Sequence, residues 1–116
     1  MHPDDASARG IRAGDVVRVF NARGVCLAGA RIDEGVRRGV VVLPTGAWYD
    51  PLVRGEIGTL EKHGNPNVLT LDKGTSKLTQ GCSAHTALVE VERFQGEPPP
   101  VTAYDRPHIA ERPAKH

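Results

Sequence analysis

Apolar residues run along the chain in short bursts, each closed by Gly, Pro, Asn or Asp. Val16 to Phe20 alternates, with Val17 and Val19 on one face and Val16, Arg18 and Phe20 on the other. That period of two predicts a strand. Asn21-Ala22-Arg23-Gly24 then predicts a hairpin connection, with Gly24 free to take a positive φ. A second strand is expected over Val25 to Ile32, where small residues at Ala28 and Ala30 suit close approach of another strand. The unbroken run Gly39 to Leu43 predicts a buried strand that stops at Pro44. Val68 to Leu71 reads as a short strand or strand edge. Thr86 to Arg93 reads as the last strand, with Ala87, Val89 and Val91 inward and Glu90 and Glu92 outward. One short helix is expected at Pro3 to Arg9, with acidic residues in its first turn and Gly10 as its stop.

Composition sharpens this β-rich picture. The chain has 116 residues, 13 of them Gly and 9 Pro, which allows one domain and argues against long helices. A chain of this size buries one modest core and is too short for a self-contained redox enzyme with a large cofactor. Fifteen Lys and Arg face fourteen Asp and Glu with no basic stripe, so nucleic acid is not an expected partner. Nor does any apolar run approach the length of a membrane span, so no membrane partner is expected. Cys26 and Cys82 lie far apart and outside any CxxC pattern, which predicts reduced, partly buried thiols.

Candidate chemistry concentrates in residues 44–67, a stretch without periodicity. Loops longer than about 12–15 residues in a compact domain are usually functional or disordered. Trp48 and Tyr49, in a Gly/Pro loop, either line a ligand mouth or plug the open end of a barrel. His63, Asn65 and Asn67 place an imidazole and two amides within five residues, which suits recognition of a heterocycle edge. The plainer alternative is turn chemistry set by Gly64 and Asn65-Pro66. His63 has no second His, Cys or acid at a ligand-like spacing, so no metal site is expected. Lys73-Gly74-Thr75-Ser76-Lys77 lacks the residue order of a phosphate loop. Gln80-Gly81 offers an amide and a bare backbone N–H, or simply a turn into the last strand. Ser83, His85 and Asp72 lack the setting of a nucleophile elbow, and no catalytic residue is assigned.

Taken in order, several segments resemble the C-terminal cofactor-binding domain of the dimethyl sulfoxide reductase family of molybdenum oxidoreductases. They are Gly14-Asp15-Val16-Val17, Asn21-Ala22-Arg23-Gly24, Val40 to Tyr49, His63 to Thr70, Gly74 to Leu78 with Gln80-Gly81, and Ala87 to Val91. The branch most similar is that of biotin sulfoxide and trimethylamine N-oxide reductases. The resemblance implies a mainly β, double-psi β-barrel domain with short helices over residues 1–94, lacking the family's first strand and loop. Residues 95–116 are then a Pro-rich tail, either weakly ordered or a docking extension.

The cofactor implied is the bis(molybdopterin guanine dinucleotide) complex of molybdenum, held by the intact enzyme. Asn67 matches the family's Asn before Leu-Thr and is the first expected cofactor contact. His63, Asn65, Gln80, Gly81 and His85 follow, with Trp48 and Tyr49 along the substrate funnel. The implied partners are the remaining domains of the parent oxidoreductase, and activity is not expected of this chain alone. An exposed sheet edge predicts a homodimer. The implied compartment is the cytoplasm, or the periplasm if the parent carries an export signal. The alternative is a free-standing β-barrel interaction module that binds through residues 44–67.

Overall fold

In the computed structural model, which describes residues 1–83 and 87–114, the alternating run Val16–Phe20 forms strand β1. It pairs antiparallel with β2, Val25–Gly29, in the register Val17↔Ala28 and Val19↔Cys26. Residues opposite each other share a face, so Val17, Val19 and Cys26 all bury on the same side. Ala6, Ile11, Ala30 and Leu69 complete this core. Strand β3, Leu60–Glu61, joins β2 in parallel, and β4, Glu90–Arg93, joins the other side of β1. The result is a four-stranded open sheet of order β3-β2-β1-β4, and the domain is mainly β. Helix α1, Pro3–Ala8, buries Ala6 against the sheet. The His2 ring caps it by accepting from the Asp4 N–H, and Gly10 ends it at φ +65°.

The hairpin forms as expected, but Gly24 serves it differently. It does not adopt a positive φ; instead, a Cβ at this position would run into the Val68 carbonyl. Close approach is the constraint, and alanine here costs about 1–3 kcal/mol through overpacking. The turn is shaped by Asn21, whose Oδ1 accepts from the Arg23 and Gly24 N–H groups. Its Nδ2 donates to the Leu69 and Leu88 carbonyls, tying the hairpin to two distant segments.

Four expected strands change. Gly39 to Leu43 has the alternation of a strand but, among the described residues, no neighbour that completes a ladder. Val41 and Leu43 lean inward, whereas Val40 and Val42 are 42% and 69% exposed. Val68 to Leu71 is displaced by a 3-10 turn at Pro66–Val68, because Pro66 presets the first position and Asn65 caps it. The second and last strands are shorter than their apolar patterns, ending at Gly29 and starting at Glu90; Thr86 lies outside the described residues. Beside the extended 41–43 segment, an apolar groove of about 490 Å³ runs over Val17, Val19, Ala28 and Val91. Among the described residues no helix is long and apolar enough to cross a membrane.

Candidate functional site

The loop after β3 is organised by a carboxylate with no exposed surface. Glu61 pairs with Cys26 in the sheet and is fully buried. Its Oε1 accepts from the Asp50 N–H at 3.2 Å and the His63 N–H at 2.9 Å. Its Oε2 accepts from the Asn65 N–H at 2.7 Å. Three backbone donors from two loops therefore converge on one side chain, which satisfies them where water cannot. Gly64, at φ +81°, lets the chain turn between two of these donors while packing against the Leu27 carbonyl and Ala28.

A second buried carboxylate joins this loop to the C-terminal segment. Asp50 accepts from the Thr102 N–H at 2.6 Å and from the Thr102 hydroxyl at 2.7 Å. The Lys62 ammonium lies 3.6 Å from Asp50 and donates to the same hydroxyl at 2.9 Å. Burial pulls the Asp50 carboxyl upward, but the Thr102 hydrogen bonds and the Lys62 charge together hold it below its ordinary 3.8. The Cys26 thiol behaves oppositely, pushed up to about 12 by burial and by the charge of Glu61. It is an inert neutral thiol. Both cysteines are free, Cys26 buried and Cys82 exposed rather than partly covered.

The sequence-derived candidates fall into three groups. His63 and Trp48 come together: His63 Nδ1 lies 3.1 Å from the Trp48 carbonyl, and the Tyr104 ring touches both. Tyr49 is exposed beside them in sequence. Asn65 and Asn67 form the second group, on the 3-10 turn. Asn65 Oδ1 accepts from the Asn67 N–H at 2.9 Å. Asn67 is exposed, and its side-chain amide makes no hydrogen bond among the described residues. Gln80 and Gly81 are the third group, in a separate hairpin closed by short-range bonds. The Thr75 N–H donates to the Gly81 carbonyl, Ser76 and Thr79 pair through their hydroxyls, and Ser83 Oγ donates to the Lys73 carbonyl. Gln80 carries a positive φ of 51°. His85 lies outside the described residues.

Sequence reasoning missed Glu61, Asp50, Lys62, Thr102 and Tyr104. Glu61-Lys62 looks like an ordinary solvated pair, and no local pattern marks a carboxylate whose partners come from a second loop. Only Tyr104 left a trace, as an aromatic residue in a chain with 4% aromatics. The 490 Å³ groove shares no lining residue with either Asn or with the aromatic cluster. Its walls are mainly aliphatic, with Arg31 and Asp33 as the charged members, so it is uncovered core rather than a place to read a polar heterocycle.

The comparisons with known proteins cover most of the chain. The family model described as the molydopterin dinucleotide binding domain matches residues 1–88. A trimethylamine-N-oxide reductase of Salmonella typhi is 57% identical over 107 residues, covering 92% of this chain and 13% of that protein. Trimethylamine-N-oxide reductase 1 of Escherichia coli (strain K12) is 60% identical over 102 residues, covering 88% of the chain and 12% of that protein. Biotin sulfoxide reductase of Cereibacter sphaeroides is 56% identical over 97 residues, covering 84% and 13%. The chain thus spans about an eighth of the length of these relatives. With three-quarters of its residues inside the family model, the chain belongs to the molydopterin dinucleotide binding domain family.

Proposed function

We infer that this chain is the part of an S- or N-oxide reductase that holds a molybdopterin guanine dinucleotide arm of a bis(molybdopterin guanine dinucleotide) molybdenum cofactor. The observation that carries the reading is the loop 63–67, anchored from below by Glu61 and presenting the unpaired Asn67 amide at its surface. An amide carries donors and an acceptor side by side, the complement of the amino-pyrimidinone edge that guanine and pterin share. Fixing the loop in advance lowers the ordering cost of binding. The donor set fits the group.

Within that reading, Asn67 and the Nδ2 of Asn65 contact the cofactor, with His63 beside them. Gln80 and Gly81 approach from the second hairpin, and His85 remains a candidate by sequence alone. Trp48 and Tyr49, both largely exposed, supply apolar wall toward the substrate. When bound, the molybdenum group supplies the two-electron chemistry that removes oxygen from a sulfoxide or amine oxide. This chain binds, orients and shields; no bond-breaking role is assigned to its residues. The rest of the parent oxidoreductase is the partner. The uncovered aliphatic groove and the outward Val40 and Val42 support closure of the sheet into a double-psi barrel there.

Titrating the chain with molybdopterin guanine dinucleotide, followed by amide shifts, tests the assignment. Shifts are expected at Asn65 and Asn67, and Asn67→Ala is expected to weaken binding about tenfold through loss of one side-chain hydrogen-bonding group. Saturation of the titration with those resonances unmoved overturns the reading.

A further inference from the structure

The C-terminal segment ties together the two loops that carry Trp48 and His63. Asp50 lies two residues after Trp48, Lys62 lies one residue before His63, and Thr102 binds both Asp50 and Lys62. Two residues beyond Thr102, the Tyr104 ring meets the His63 ring edge-on, with centroids 5.2 Å apart and planes at 90°. The same ring lies 5.6 Å from Trp48 at 43°. Tyr104 therefore touches both partners of the His63–Trp48 hydrogen bond. It lies outside residues 1–88, so the family model does not include it.

That hydrogen bond has a chemical direction. The Trp48 carbonyl carries no proton and can only accept, so His63 Nδ1 is the donor. In the neutral ring the proton on Nδ1 leaves Nε2 with its lone pair, an acceptor. No hydrogen bond occupies Nε2 among the described residues. An unconstrained imidazole favours the opposite tautomer, with the proton on Nε2. The His63 N–H is held by Glu61, which fixes the backbone, while the ring is tied only by its bond to the Trp48 carbonyl among the described residues. That bond lasts only while its two partners keep their relative placement, and the edge-on contact of Tyr104 with His63 and its tilted contact with Trp48 are in place to maintain it.

We propose that Tyr104 is a positioning residue that holds His63 in the Nδ1–H tautomer, so that Nε2 accepts a hydrogen bond from the N–H edge of an amino-pyrimidinone ligand. The proposal rests on the cofactor-binding reading for the identity of the ligand, but not for the tautomer. An Nε2 acceptor selects against a ligand edge that offers only lone pairs, because two acceptors face each other unpaired. Both guanine and pterin present the required N–H groups.

Long-range proton–nitrogen correlation spectra of the full chain read the tautomer directly, with His63 assigned by its loss in His63→Asn. The wild-type chain is expected to show the Nδ1–H form alone. Tyr104→Phe keeps the ring and should retain that signature. Tyr104→Ala, and Thr102→Val through release of the segment, should admit the Nε2–H form while the backbone spectrum of β1 and β2 is unchanged. A wild-type Nε2–H signature, or a Tyr104→Ala chain that keeps the pure Nδ1–H form, overturns the proposal. A second arm adds guanosine monophosphate and, separately, 6-hydroxymethylpterin to the wild-type chain. Movement of the Nε2 resonance by one of them identifies which half of the dinucleotide His63 meets. With the tautomer as expected and neither probe moving Nε2 at saturation, the ligand assignment fails while the positioning role of Tyr104 stands.

Discussion

Two loops drawn from the same sequence argument turn out to be built in opposite ways. Residues 61–67 hang from the buried Glu61 carboxylate, which collects N–H groups from Asp50, His63 and Asn65. Residues 73–83 form an exposed hairpin closed by its own short-range bonds, with Gln80 in a left-handed conformation. The first loop is attached to the core of the sheet; the second is closed, among the described residues, by bonds between near neighbours in sequence. A loop of the first kind presents its amide before the ligand arrives, whereas one of the second kind can adapt to it.

The two cysteines report on the two regions and give the widest expected contrast. Cys26 pairs with Glu61 inside the sheet, and Cys82 sits exposed in the hairpin. At neutral pH, alkylation of Cys26 should be at least about a thousandfold slower than that of Cys82, since it requires opening of the sheet. Comparable rates, measured by mass spectrometry of peptides, would dissolve the distinction. The sign with pH follows from the raised thiol. Its contribution to stability is complete below 9.0 and is lost as pH rises toward about 12.

Side-chain removal sharpens the comparison next. Glu61→Ala strands three backbone donors and should lower the unfolding free energy by about 3–5 kcal/mol in urea titrations. Gln80→Ala in the other loop should change it by no more than about 0.5 kcal/mol. Equal effects would mean that Glu61 does not organise its loop.

The smallest effect tests the clamp on the C-terminal segment. Asp50 is held below 3.8, so its contribution is present above that value and lost as pH falls through the lower folded value. Thr102→Val removes the hydroxyl bond to Asp50 and should cost about 1–2 kcal/mol at pH 7. It should also make acid unfolding begin at a higher pH than in the wild type. An unchanged acid midpoint would show that Thr102 does not stabilise the ionised carboxylate.

What could be read from the sequence was local. The Val16–Phe20 alternation, the Asn21-to-Gly24 connection and the short N-terminal helix depend on neighbours in the chain, and each appears in place. The resemblance identified the family from ordered motifs, again a property of the linear sequence. What escaped depends on distant partners: Glu61 with Asp50, Thr102 with Asp50, and Tyr104 with His63. Gly39 to Leu43 failed for a related reason, since an unbroken apolar run becomes a strand only when another strand supplies its ladder. Pro66 and Asn65 overrode strand propensity at Val68 because capping acts at once and locally, while pairing must wait for a partner.

The central claim is that a buried carboxylate shapes the recognition loop before any ligand binds. Amide hydrogen exchange of the ligand-free chain tests it at the three donors to Glu61, the N–H groups of Asp50, His63 and Asn65. The account predicts protection at all three comparable to that of Val17 and Val19 in β1. Exchange at His63 and Asn65 as fast as at Thr75 and Thr79 in the self-closed hairpin would contradict it.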